Sequence, residues 1–439
     1  MAQNFLACDR EQSFLLPPDL RDWLPEVHLA WFVVDVVGVI DLSGFYGSYR
    51  EDGLGRAAYE PSMMVALILY CWSRGMRSSR RIERACMEDV ACRVIAANQR
   101  PDHATIARFI ERHQRALADL FGEVLVLCAD AGLATVGVVA IDGTKVAANA
   151  NRDRTLSYEQ IAQAIVEEAI ATDAAEDAEF GDRRGDELPE ELARRQGRLQ
   201  KIRQAKAALE AEARQQARAE EAERQRQGKP PSGKGPEQAR PEPKAQYNFT
   251  DPESQVMKVS NKGWDQCINA EVVVNEHQII VAADVTDEAN DKQQVRPMVE
   301  QMKQNLAAVG VRERAKEMVA DSGFYSEANV AYLEAEGIDP YIATERLKHH
   351  ERIAAPRGRC PQGLTAKQRM ARKLRTKRGR QRYARRKAMV EPVFGQIKHG
   401  RGFRQHLLRG RKKMRAEWRL VSLTHNLLKL WRYEQSKEE

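Results

Sequence analysis

Apolar positions along the chain change period twice, and those changes divide it. Between Leu29 and Leu42 an apolar segment interrupted by Asp35 predicts a helix. From Pro61, a residue suited to a helix's first turn, the run Met63 to Tyr70 predicts a core helix stopping near Gly75. Another helix is expected to open at Ser78-Ser79 with Glu83 as a capping signal, and a third at Pro101-Asp102-His103, continuing to about Gly132. The period then shortens. Val138-Val139-Ala140-Ile141 predicts a buried strand that ends at Asp142 on a Gly143-Thr144 turn, with Val146 to Ala150 as a neighbouring strand. Tyr247 to Asp251, Gln255 to Val259, Cys267 to Val274 and Gln278 to Asp284 also read as strands, the last two joined by an Asn275-Glu276-His277 turn. Asp291 is expected to cap a helix to about Val309. Glu317 to Ala320 then forms a strand ending at Asp321, Ser326 caps a helix to Glu336, and Asp339 to Ala343 is a further strand. Strand pairs first and strand-helix-strand afterwards predict an α/β fold, a mixed sheet flanked by helices behind an all-α N-terminal part.

The second change of period is an interruption. Residues 155 to 227 are dominated by Ala, Glu, Arg and Gln, while Leu188, Leu192, Leu199, Ile202, Leu209 and Ala213 keep helical spacing. A long charged helical hairpin is expected, followed over Gly228 to Lys244 by a flexible Pro-rich tether. Its acids read as a solvated face.

Composition narrows the class. Hydrophobic residues make up 43% of the 439 and charged residues 30%, which suits a soluble multi-domain protein. The seven cysteines form no C-x-x-C pair, so neither a zinc ribbon nor a disulfide framework is indicated and a reducing compartment is expected. The first residues lack signal-peptide organisation. The longest apolar run, Met63 to Trp72, is half of the ~20 residues a membrane span needs. Charge is uneven: Arg346 to Lys387 holds seventeen Lys or Arg against one acid, Glu351, so a net charge of +7 leaves about −9 for the rest. Such a basic block points to a polyanion. The exposed-type arginines 77, 80, 81, 84, 108 and 112 lie on short helices separated by tight turns, the pattern of a helix-turn-helix DNA reader.

Three acids stand out against this background. Asp142 and Asp321 each follow a β-branched run, and Glu391 lies in Val390-Glu391-Pro392-Val393-Phe394, a segment with helical apolar spacing. Phosphodiester chemistry is served by two hard cations about 3.5–4 Å apart, and Mg²⁺ prefers a few carboxylates over His or Cys. In such a scheme Asp142 bridges two ions, Asp321 holds one and Glu391 the other. Lys398, two helical turns after Glu391, places an ammonium on the same face to meet a phosphate, and Arg401 and Arg404 extend the basic surface.

These motifs, Asp142-Gly143-Thr144, Ala320-Asp321-Ser322-Gly323-Phe324-Tyr325 and Glu391 through Lys398, resemble those of DDE transposases of bacterial insertion sequences. Ser78-Ser79-Arg80, Pro101-Asp102-His103, Thr105-Ile106, Phe109 and Thr250-Asp251-Pro252-Glu253-Ser254 extend the resemblance over most of the chain. The third motif of that family places a Tyr and an Arg at set distances before the Glu. Here Tyr383 and Arg386 each sit one position further upstream, and Lys387 occupies the Arg place. The resemblance implies a ribonuclease H-like core over 133–154 and 247–439, a helical DNA-binding domain over 1–132, a helical insertion over 155–246 and a basic insertion over 345–387. It further implies strand cleavage and transfer at terminal inverted repeats with two Mg²⁺ ions, Mn²⁺ being a substitute. DNA contacts are expected from Arg80, Arg81, Arg108, Lys145, Lys398, Arg401 and Arg404. The expected partners are the element ends and target DNA, bound by a homodimer without membrane association, in a bacterial cytoplasm at the nucleoid.

Rival readings use the same residues. A nuclease without strand transfer needs the same three acids, and a non-catalytic DNA-binding derivative would have lost one. A metal site at Asp284, Asp287 and Asp291 is another, although Asp291 reads as a helix cap. His349 and His350 with Cys360 lack a fourth zinc ligand at suitable spacing.

Overall fold

In the computed structural model the described residues are 19–49, 57–151, 154–165, 167–168, 171, 190–226, 230, 235–259, 263–345, 355–356, 358 and 360–438. Leu188, His349 and His350 lie outside them.

Seven helices come first: α1 (Leu29–Val39), α2 (Ser43–Tyr46), α3 (Pro61–Ser73), α4 (Ser79–Glu88), α5 (Val90–Ile95), α6 (His103–Arg112) and α7 (Gln114–Asp130). α3 is buried along almost its whole length, as its unbroken apolar run requires. The helix expected from Pro101 to Gly132 is two helices. Asp102 caps α6 by accepting from the Thr105 backbone N–H at 2.9 Å. The break falls at His113, whose ring packs against those of Phe45, Tyr49 and Phe109. The Ser78 side chain makes no cap hydrogen bond; Glu83 instead pairs with His103 at 2.9 Å.

The mixed sheet expected from the element order is present. Its strands are β1 (Val138–Ala147), β4 (Gln255–Val259), β5 (Gly263–Asn275), β6 (Ile280–Thr286), β7 (Glu317–Ala320) and β8 (Asp339–Ile342). β5 lies antiparallel to β1, β4 and β6, while β7 is parallel to β1 and β8 to β7. The parallel strands are reached through α9 (Val295–Ala308) and α10 (Glu327–Ala335), in keeping with the crossovers such strands need. β1 does not end at Asp142, and Val146 to Ala150 is no separate strand: Asp142 pairs with Val272, Gly143 with Glu271, and the ladder continues to Ala147. Gly143 marks a close approach rather than a turn, since a Cβ there would stand 2.5 Å from Glu271 Oε1.

The strand expected at Tyr247 leaves the main sheet. It is β3 (Gln246–Asn248), antiparallel to β2 (Thr155–Ser157), and this ribbon closes the two ends of the insertion. Asn248 pins it, donating from Nδ2 to Asn151 O at 2.8 Å and Thr155 Oγ1 at 2.9 Å. Beyond the ribbon stands α8 (Glu190–Arg226), and Leu199, Ile202 and Leu209 of its expected stripe are buried. Ile202, Ala205 and Leu209 join Ile161 in a small core of their own, edged by Tyr158, Tyr247 and Phe249. In the Pro-rich stretch, Pro236–Gln238 forms a short 3-10 turn, and Glu237 pairs with Arg218.

Four helices complete the fold: α11 (Ala366–Arg375), α12 (Lys377–Met389), α13 (Glu391–Gly395) and α14 (Arg411–Glu438). α14 packs on α7, β6 and α3, so one continuous core runs from Leu29 to Leu430 and joins the N-terminal helices to the sheet. The corner between α11 and α12 depends on Gly379, where a Cβ would meet Lys373 O at 2.0 Å and Leu374 Cα at 2.9 Å. Gly379→Ala should therefore cost about 1–3 kcal/mol through overpacking. Gly197→Ala on α8, where nothing lies within 4 Å, should gain about 0.5–1 kcal/mol. Urea unfolding of the two variants checks the contrast; equal midpoints would show the corner to be tolerant.

Candidate active site

Asp142 and Asp321 are brought side by side by strand register. β1 pairs with β7 as Val138–Glu317, Val139–Met318 and Ala140–Val319. Asp142 is two residues beyond the last of these on one strand and Asp321 two beyond it on the other, so the two acids stand level across the parallel pair. Asp321 follows β7 and turns the chain, its Oδ1 accepting from the Gly323 N–H at 2.7 Å.

Asp142 is partly buried, with 15% of its side chain exposed. Burial pushes its carboxyl up to about 7; Asp321 and Asp291 push the same way, while the Arg386 guanidinium and the Gly143 N–H oppose them. Arg386 Nη1 donates to Asp142 Oδ2 at 2.6 Å. Burial works against the Arg386 charge, yet Asp142, Tyr383, Asp321 and Glu391 hold its pKa above the ordinary value. Tyr383 lies beside them, burial raising its phenol. Of the Tyr and Arg whose spacing departs from the family pattern, Arg386 bonds Asp142 directly and Tyr383 stands beside Arg386.

The chain can do this because α12 does not continue into α13. Pro392 has no N–H to offer the Ala388 carbonyl, and Gln278 Nε2 donates to that carbonyl at 2.9 Å instead. Glu391 is the first residue of α13 and is exposed; Arg386 is its electrostatic link to the pair. Five residues of π-helix, Gln396–Gly400, follow. Within them Lys398 Nζ donates to Lys145 O at 2.9 Å, and burial lowers its pKa.

Other expected contacts are placed differently. Arg401 is buried rather than on a basic surface: it donates to Thr424 Oγ1 at 2.6 Å and Val421 O at 3.0 Å, and desolvation lowers its pKa to about 9. Lys145 is ion-paired to Asp291 at 3.1 Å. Arg77 is held by Glu417 at 3.0 Å, whereas Arg80, Arg81, Arg84, Arg108 and Arg404 are exposed. Asp291 is not a helix cap, because Asn290 accepts from the Lys292 N–H. Nor do the three acids of the rival metal site converge. Asp284 pairs with Arg415 and Asp287 with Arg411 at 2.8 Å.

Sequence reasoning missed Asn269 and Glu271, polar residues inside the run Cys267 to Val274, which reads as an apolar strand. Glu271 is buried, its carboxyl is held well above the usual range by burial first and then by Asp291, and its Oε2 has no hydrogen-bond partner. A carboxylate in an otherwise apolar strand was the available signal.

The donor set suits a hard divalent cation. At Gly323 a Cβ would stand 2.7 Å from Asp291 Oδ2 and 3.0 Å from Asp321 Oδ1, so the glycine lets two carboxylates come closer to the backbone than a methyl would allow. The orphaned Glu271 Oε2 lies against Gly143, one residue from Asp142. Among the described residues no group of three His, Cys, Asp or Glu side chains is already drawn together around one point.

Two family descriptions match the chain: Transposase DDE domain over residues 359–431 and Transposase domain (DUF772) over residues 18–112. The first spans Tyr383, Arg386, Glu391 and Lys398, and the second spans the helices that carry Arg80, Arg81 and Arg108. Both matches are to transposase domains, and together they support a DDE transposase of an insertion sequence. A DDE domain implies the ribonuclease H-like fold, in agreement with a six-stranded mixed sheet in which β5 runs antiparallel to β1, β4 and β6, and β7 and β8 are added in parallel beyond β1. No curated protein and no solved structure matches the chain. No helix among the described residues of this transposase is long and apolar enough to cross a membrane.

The raised Asp142 carboxyl has a consequence for stability. Its value in the folded transposase, about 7, lies above that of the unfolded chain. Its contribution is thus fully present below the unfolded value and is lost as pH rises through about 7, falling by about 1.4 kcal/mol for each pH unit crossed between the two values. In EDTA, Asp142→Asn should gain in unfolding midpoint over the parent between pH 5 and pH 8. A difference constant across that range would contradict the assignment.

Proposed function

We propose that this transposase binds the terminal inverted repeats of its element and cleaves and transfers DNA strands in a Mg²⁺-dependent reaction at Asp142, Asp321 and Glu391. The observation that carries the reading is the level placement of Asp142 and Asp321 on adjacent parallel strands, with Arg386 of the DDE segment bonded to Asp142 at 2.6 Å. Asp142 and Asp321, with Glu391, would hold the cations. Divalent ions bound there supply an activated water or 3′ hydroxyl and neutralise the leaving oxygen.

The chain's own residues do the rest. Arg386 fixes the Asp142 carboxylate and balances its charge in an enclosed site. Lys398, tied to β1 through the Lys145 carbonyl, orients its ammonium beside the catalytic strand, where it meets a phosphate. Arg80, Arg81 and Arg84 of α4 and Arg108 of α6 are exposed on neighbouring helices and offer phosphate contacts. The basic block divides in two. Lys373, Arg378, Arg382, Arg385 and Arg386 pair with Asp339, Glu317, Glu276 and Asp142 and dock α11 and α12 on the sheet. Lys367, Lys377, Arg380 and Lys387 are exposed and free to meet a duplex from outside.

Replacing those last four with Gln should weaken binding to element ends and random duplex alike and lower the slope of log affinity against log salt by about one unit per lost phosphate contact. Loss confined to the element ends would mean that this block reads bases. The reading as a whole is tested by incubating the transposase with duplexes carrying its element ends in Mg²⁺ or Ca²⁺. Nicking in Mg²⁺ with binding but little nicking in Ca²⁺ is expected, because Ca²⁺ coordinates more loosely. Equal cutting in both would contradict it.

A further inference from the structure

Beside the Asp142–Asp321 pair lies a set of polar side chains that the reaction set out above does not use. Asn269 stands opposite Lys145 in the β5–β1 ladder. Its Nδ2 donates to Glu271 Oε1 at 2.6 Å and to Asp291 Oδ1 at 2.6 Å, and Lys145 Nζ lies 3.1 Å from that same Asp291 oxygen. One oxygen of Asp291 is therefore held from two sides. The other, Oδ2, approaches Gly323, 2.7 Å from where a Cβ would stand, as Asp321 Oδ1 does at 3.0 Å. Glu271 is 1% exposed, Asn269 occupies its Oε1, and its Oε2 lies against Gly143, one residue from Asp142. Asp291 has no capping duty that would explain its orientation, since Asn290 caps the turn.

We propose that Asp291 is a fourth carboxylate of the cation site, shared with Asp321 across Gly323, and that Lys145 is the charge a divalent cation displaces from it. Lys145 thereby becomes a positioning residue for Asp291 instead of a phosphate contact. The inference rests on the reading of Asp142 and Asp321 as cation-binding residues.

The test is Mn²⁺ binding to the full chain without DNA, followed by the electron paramagnetic resonance signal of free Mn²⁺. Asp291→Asn should weaken Mn²⁺ binding about tenfold or more, whereas Lys145→Gln, which removes a competing cation, should strengthen it severalfold. Opposite shifts support the proposal. If Asp291 merely anchors Lys145, both variants shift affinity in the same direction or not at all, and the proposal falls. Gly323→Ala supplies a second arm that spares every charge: its methyl crowds both carboxylates, forces them to shift and should weaken Mn²⁺ binding, and unchanged affinity would overturn the proposal even if Asp291→Asn folds poorly. Asp142→Asn separates the two levels of inference. If it weakens Mn²⁺ binding and Asp291→Asn does not, the fourth carboxylate alone is wrong; if neither does, the cation site itself is wrong.

Discussion

Asp142→Asn, Asp321→Asn and Glu391→Gln should each lower strand cleavage by about a thousandfold or more, equivalent to about 4 kcal/mol of barrier, while leaving affinity for element ends nearly intact. Each substitution keeps the shape of the side chain and removes one charged oxygen. Binding should survive because the exposed arginines of α4 and α6 lie on other elements, in a core held by α3, α7 and α14. Glu391 is the sharpest of the three. It is exposed at the head of α13 and connects to the Asp pair only through the field at Arg386. A Glu391→Gln protein that cuts at the parental rate would remove that residue from the site while leaving Asp142 and Asp321 in it. Parental cutting by either Asp variant would undo the site altogether.

Replacing residues 158–244 by a short Gly-Ser linker should give a folded transposase that nicks DNA but no longer pairs two element ends. The insertion leaves and returns through one ribbon, in which Ser157 stands opposite Gln246 and the Tyr158 N–H donates to Ala245 O at 2.7 Å. Its Ile161, Ile202, Ala205 and Leu209 core is separate from the one that supports β1. Closing the ribbon early thus removes a satellite and leaves the catalytic strand paired with β5 and β7. Two ends must be cut and joined together, which calls for two active sites and makes a dimer on DNA the economical expectation. Paired-end complexes are counted on native gels. Normal yield would make the insertion a spacer, and loss of Mn²⁺ binding would place it in the core.

The fold was largely legible because its signals are local. β-branched runs at Val138, Gln278 and Glu317, with helical patterns between the later ones, suffice to order a mixed sheet. What failed to read did so for long-range reasons. Gly143-Thr144 carries turn chemistry, yet pairing with Glu271 and Ala270 keeps it in the strand. Arg401 has the composition of a surface residue and is buried by Thr424 and Val421, which arrive about twenty positions later. Against the spacing of the family's third motif Tyr383 and Arg386 stand one place upstream, yet Arg386 still bonds Asp142, because α12 docks on the sheet through contacts far away in the sequence. Glu271 hides in an apolar strand because Asp291, which Asn269 links to it, is brought there only when the strand and the turn after β6 come together.

The proposed reaction joins strands as well as cutting them. The most direct measurement is to incubate the transposase with Mg²⁺, a duplex ending in its own terminal repeat and a supercoiled target plasmid, and to sequence the products. Element 3′ ends covalently joined to target DNA, absent with Asp142→Asn and with Asp321→Asn, are the predicted result. Ends that are cut but never joined, or joined products that persist in either variant, would contradict it.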